Sequence, residues 1–133
     1  MEIDNNEDFK NDQKDWKLKT EKYSIQKNLW PSGKNVLAQY NDEAILVYQA
    51  YNNEIADYAV QNQKFGGPHW SSTRMTWIKT NFLWMMFRSD WGQKKNQDRV
   101  LGIWLKRSSF ERYISMANSK EHRGTVRLQW YKL

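Results

Sequence analysis

The chain has 133 residues, a formal net charge of +6 and no cysteine. That length argues for one domain with a modest core. The missing cysteines exclude a disulfide framework, a thiolate metal site and a cysteine nucleophile. No apolar run is long enough to span a bilayer. The N-terminus lacks both the apolar centre of a signal peptide and the arginine-rich, acid-poor look of a transit peptide, so an intracellular, cytoplasmic location without membrane attachment is expected.

In chain order, residues 1–22 are polar and nearly free of apolar runs. Met1–Lys19 reads MEIDNNEDFKNDQKDWKLK, a composition that buries too little surface to offset ordering entropy. A disordered tail over residues 1–22 and a single domain over 23–133 are expected. Pro31-Ser32-Gly33 is a turn signal. Ala44–Ala50 (AILVYQA) is an apolar, β-rich run between Asn41-Asp42 and Asn52-Asn53, which predicts a buried strand. Asn53 then reads as a helix N-cap, with Glu54 suited to the first turn. Ile55, Ala56, Ala59 and Val60 form its apolar stripe. The helix is expected to end near Lys64, before Gly66-Gly67-Pro68.

Trp70, Trp77, Trp84 and Trp91 recur every seven residues. A coiled coil does not follow, because only Trp84 lies in a convincing helical stretch, Asn81–Arg88. Residues 74–79 alternate and read as extended. Phe82, Leu83, Met85 and Met86 are expected to bury one helix face, methionine filling gaps. After the polar loop 93–99, Val100–Lys106 (VLGIWLK) predicts a strand. Ser108 with Glu111 has capping-box spacing, and Phe110, Tyr113, Ile114 and Ala117 mark a helix. Val126, Leu128 and Trp130 alternate with Arg127 and Gln129, as in a half-buried strand. The order β-α-(β)-α-β-α-β predicts an α+β or compact α/β domain with about three helices.

Chemistry has few carriers. His69 and His122 stand far apart, so no metal site is expected. No Walker loop, GxGxxG or nucleophile elbow is present. Charge and aromaticity are more informative. Residues 1–30 hold six lysines against seven acidic residues, whereas residues 31–133 hold fifteen Lys/Arg against eight acidic ones. The ordered part therefore carries the whole positive excess, which favours phosphates or nucleic acid. Eight tryptophans supply large faces for packing or for stacking on bases. Arg74, Lys79 and Arg88 punctuate Trp77, Phe82, Trp84, Phe87 and Trp91. Arginine pairs bidentately with phosphate and stacks on rings. A phosphate-bearing ligand, either a nucleotide or RNA/DNA, is therefore expected, with Arg74, Lys79 and Arg88 on phosphate and Trp77, Trp84 or Trp91 stacking.

Four segments in the same order carry a family resemblance: VLAQYNDEAILVYQAYNNEIADYA (Val36–Ala59), FGGPHWSSTRMTWIKTNFLWMMFRSDWG (Phe65–Gly92), VLGIWLKRSSFE (Val100–Glu111) and VRLQW (Val126–Trp130). The chain resembles the family catalogued as domain of unknown function 4291, over about residues 23–130. Members usually have proline where this chain has Thr80, which suits Thr80 or Asn81 as a helix cap here. Members also usually continue past the last strand with an acidic, proline-containing turn, so the resemblance implies a C-terminally truncated member. A truncated domain would offer an unpaired edge strand, through which it could associate.

A remoter resemblance concerns Val47-Tyr48-Gln49-Ala50-Tyr51. This strand end followed by a helix is similar to the first motif of ADP-ribosyltransferases, in which a Tyr-His-Gly-Thr type segment holds the nicotinamide end of NAD. It implies an alternative function as an NAD-using transferase or its inactive remnant. Tyr48, Gln49 and Tyr51 would then be the catalytic candidates, and Arg74 would reach the pyrophosphate.

Overall fold

The computed structural model describes residues 16–118 and 125–130. Among them the elements run α1 (Tyr23–Gln26), β1 (Ala44–Tyr51), α2 (Asn53–Asn62), α3 (Phe82–Arg88), β2 (Arg99–Lys106) and α4 (Arg107–Asn118). β1 and β2 pair antiparallel, from Ala44 opposite Lys106 to Tyr51 opposite Arg99. Four helices packed around a two-stranded antiparallel sheet make this a small α+β domain.

β1 forms where β-branched and aromatic residues cluster, and it is covered on both faces. Ile45 and Val47 cluster with Leu105 on one face, and Ala38, Ile78, Ile103, Phe110 and Tyr113 pack against them. Strand alternation sends Leu46 and Tyr48 to the other face, and there Leu46 is 1% exposed. On that side Gly102 faces the side chains of Leu46, Tyr48 and Leu18. Trp16 stands edge-on to Trp104 at 5.2 Å between ring centroids and accepts the Trp104 indole N–H through its carbonyl at 3.1 Å. The sequence places residues 16–22 in the polar tail. Trp16 and Leu18 instead bring the start of the described chain onto the sheet, and the rest of the expected tail, residues 1–15, lies outside the described residues.

The second edge of β1 is also occupied. The Tyr48 N–H donates to the Lys79 carbonyl at 2.7 Å and the Lys79 N–H returns to the Tyr48 carbonyl at 3.2 Å, so the extended run expected over 74–79 meets β1 at one bridge. Nearer the start of the strand, the Leu46 N–H donates to the Gln39 carbonyl at 2.9 Å. The turn between them is closed by the Asn41 side chain, whose Oδ1 accepts the N–H groups of Glu43 and Ala44.

Helix ends follow local chemistry, with small shifts from the expected positions. α2 is capped by Asn52, one residue before the expected Asn53; its side chain accepts the Ile55 N–H at 3.0 Å. The helix stops at Asn62 because Gln63 turns left-handed, with φ 54°. Just beyond, Gly67 has φ +84°, and a Cβ there would lie 2.7 Å from the Tyr58 ring, so only glycine suits this crossing. α3 is capped by Asn81, which accepts the Trp84 N–H at 3.0 Å. α4 starts at Arg107 directly after β2, which puts Ser108 inside its first turn and not at the cap. The Arg107 N–H is satisfied by the Glu43 carbonyl at 2.8 Å, and its guanidinium lies 5.2 Å from the centre of the Tyr40 ring.

Two expectations about burial and pairing differ from the structure. Met85 is buried, but Phe82 and Leu83 are 45% and 65% exposed, because α3 turns that side to a groove and not to the core. The alternating run at 125–130 contributes one bridge residue, Val126, among the described residues and otherwise has no strand geometry.

Because Leu46 sits between Gly102, Leu18 and the ladder, Leu46→Ala should cost about 2–5 kcal/mol. A lowered urea midpoint at unchanged m-value checks this.

Candidate functional site

The three candidates on β1 separate across the sheet. Gln49 and Tyr51 point to the face of Ile45 and Val47, whereas Tyr48 points to the face of Leu46. They do not share one pocket.

Gln49 is 2% exposed. Its Nε2 donates to Thr76 Oγ1 at 3.0 Å and to the Trp77 carbonyl at 3.2 Å, and its Oε1 accepts the Tyr51 hydroxyl at 3.0 Å. Both amide hydrogens and the carbonyl are thus engaged within the protein, and the amide staples residues 76–77 to β1. Tyr51 is buried beside Phe65 and Trp70, at 5.1 and 5.7 Å between centroids, and those two rings stack at 4.7 Å. The Arg74 guanidinium lies over the Tyr51 ring, 5.8 Å from its centre. Burial raises the Tyr51 hydroxyl above its ordinary pKa; hydrogen bonding from Thr76 and the charge of Arg74 oppose this in part. This face is a rigid polar staple inside an aromatic corner, with the exposed Arg74 at its rim.

The opposite face carries a groove of about 650 Å³. Lys19, Glu21, Tyr23, Gln26 and Trp30 line it from the N-terminal segment. Leu37, Gln39 and Tyr48 line it from β1 and the run before it. Thr80, Asn81, Phe82, Leu83, Trp84 and Phe87 line it from α3 and its cap. Tyr23 meets Trp30 edge-on at 5.7 Å, Tyr48 meets Phe82 at 5.3 Å, and Trp84 meets Phe87 at 5.7 Å. Burial raises the Tyr48 hydroxyl above its ordinary pKa, so it is a neutral hydrogen-bonding group at physiological pH.

Of the basic and aromatic residues singled out by sequence, Trp84 lines this groove beside Tyr48, and Lys79 is joined to Tyr48 through its backbone. Arg74 sits over Tyr51. Trp77 is exposed and lends its carbonyl to Gln49. Arg88 and Trp91 are exposed at the end of α3 and in the turn after it, and neither lines the groove. Sequence reasoning missed Lys19, Glu21, Tyr23, Trp30 and Gln39. The aromatic Tyr23 and Trp30, flanking an otherwise polar segment, were the available signal. Among the described residues no group of three or more His, Asp or Glu could hold a metal ion, and no helix is long and apolar enough to cross a membrane.

The architecture is a small α+β domain whose sheet carries a polar staple on one face and an aromatic groove on the other. The family model for the domain of unknown function DUF4291 matches residues 35–131, and the chain belongs to that family. No curated protein and no solved structure matches it.

Gln49→Ala would take away the acceptor of the Tyr51 hydroxyl proton and a donor to the Trp77 carbonyl, so a loss of about 2–3 kcal/mol is expected in urea unfolding. The raised Tyr51 hydroxyl also sets a pH dependence. Its neutral form is favoured by the fold, so its contribution is complete below the ordinary value of 10.0. That contribution is lost as pH rises through the higher folded value. Tyr51→Phe should flatten the fall in stability above pH 10, measured by urea midpoints across the alkaline range.

Proposed function

We propose that this domain binds a nucleotide in the groove between its N-terminal segment and α3. The observation that carries the reading is the gathering of six aromatic side chains, Tyr23, Trp30, Tyr48, Phe82, Trp84 and Phe87, around one space of about 650 Å³. Such a volume matches small-molecule sites, which are mostly apolar with a few placed polar groups. Aromatic faces take up bases of any sequence by stacking. Lys19, within the groove, supplies a positive charge for phosphate. Glu21, Gln26 and the Tyr48 hydroxyl are the polar groups suited to a base edge or ribose.

Phosphate contact through Arg74 is less well supported, because that side chain belongs to the opposite face with Tyr51. The ADP-ribosyltransferase-like arrangement loses support for the same reason. It needs Tyr48, Gln49 and Tyr51 around one nicotinamide, and strand alternation divides them.

Trp30 and Trp84 make the groove self-reporting. Tryptophan fluorescence and thermal melting of the full chain with AMP, ATP, NAD, ADP-ribose and a short RNA, at low and high salt, test the reading. Quenching and a raised Tm with the mononucleotides are expected. Trp84→Ala should weaken AMP binding roughly tenfold, the loss of one stacked face. Steeply salt-dependent binding of RNA alone would move the function to a nucleic-acid module. No response to any of these ligands would remove the nucleotide reading altogether.

A further inference from the structure

The groove's N-terminal side is attached differently from its other sides. Gln39 is bolted to the sheet by its main chain, since its carbonyl accepts the Leu46 N–H and its neighbour Tyr40 bridges Ile45. Its side chain reaches the other way. Oε1 accepts the Lys19 N–H at 2.9 Å, and Nε2 donates to the Lys17 carbonyl at 2.8 Å. In an extended run, the carbonyl of one residue and the N–H two residues on face the same side. The Gln39 amide therefore docks as a neighbouring strand's peptide group would.

Beyond this point the segment is lightly built. α1 buries no residue, and Tyr23, Ile25 and Leu29 are 60%, 57% and 69% exposed. Both Gln39 side-chain bonds are exposed to solvent, where water competes for them and local opening is easy.

We infer that Gln39 is a positioning residue whose amide latches residues 16–30 as a strap over the groove, and that ligand enters and leaves when the strap lifts. The second half of this rests on the groove being the binding site; the latch does not. Gln39 acts through Lys17 and Lys19, holding the segment that carries Glu21, Tyr23 and Trp30 across the groove from Tyr48 and Phe82. Trp16 against Trp104 forms the anchored end, so the strap swings without detaching.

Amide hydrogen exchange on the full chain tests the latch without any variant. The Lys19 N–H should exchange at least tenfold faster than the Tyr48 N–H, which the Lys79 carbonyl holds in the sheet. If the two exchange together, the strap is not a separate unit and the inference is overturned. AMP should slow exchange of the Lys19 N–H.

Gln39→Leu should abolish Lys19 protection, keep that of Tyr48, and speed AMP release about tenfold. Gln39→Glu keeps an acceptor for the Lys19 N–H and should retain part of the protection. A packing role alone would rank these two variants the other way, because leucine fills the space without charge. Unchanged Lys19 protection in Gln39→Leu overturns the latch. If the exchange pattern holds but AMP has no effect on it, the latch stands and the nucleotide reading is what fails.

Discussion

The structure depends on β1 being covered on both faces and engaged along both edges. A strand buried this way must satisfy every backbone group in its own plane. β2 serves one edge, and Gln39 with Lys79 serves the other at separate points. This second edge is assembled from two unrelated loops and not from a strand. That choice brings the run before β1 and the run before α3 to the same side of the sheet. The groove is the space left between the N-terminal segment and α3, with Tyr48 of β1 bordering it.

The two faces of β1 then take different roles. On one, Gln49 spends its amide holding residues 76–77, and the Tyr51 hydroxyl completes the arrangement. A buried polar group of this kind costs stability if any partner is lost, so it fixes the path of the chain leading to Lys79 and α3. On the other face Tyr48 borders open space. The staple thus positions one side of the groove from behind the sheet. The Gln39 amide holds the opposite side from the front, through solvent-exposed bonds. The two sides of the groove are thus held by different means, one by a buried amide and one by an exposed one.

Much of the fold was legible along the chain, because it is written in local patterns. The apolar β-rich run of β1, the stripe of α2, the Asn81 cap of α3 and the periodicity of α4 each stand on neighbouring residues. The site was legible only in fragments. Trp84 and Tyr48 were singled out and do meet in one groove. The stretch 16–22 reads as tail, since its polar composition masks what Trp16 and Leu18 do once Trp104 and Gly102 lie beneath them. Gln49, a candidate for contact with ligand, is buried with its amide bonded to Thr76, Trp77 and Tyr51. The run at 125–130 alternates in sequence, yet among the described residues only Val126 of that run takes part in a bridge.

The sequence by itself determined the elements, their order, the family and the excess of positive and aromatic groups, because these follow from composition and short-range periodicity. Grouping Tyr48 and Gln49 around one ligand runs against the alternation of a strand, which turns neighbours to opposite faces. Only the tertiary structure decided what each would face. Thr76, Trp77, Phe82 and Trp104 lie roughly thirty to sixty residues away along the chain, and whether they form a staple or a groove depends on which of them close packing brings to each side of the sheet.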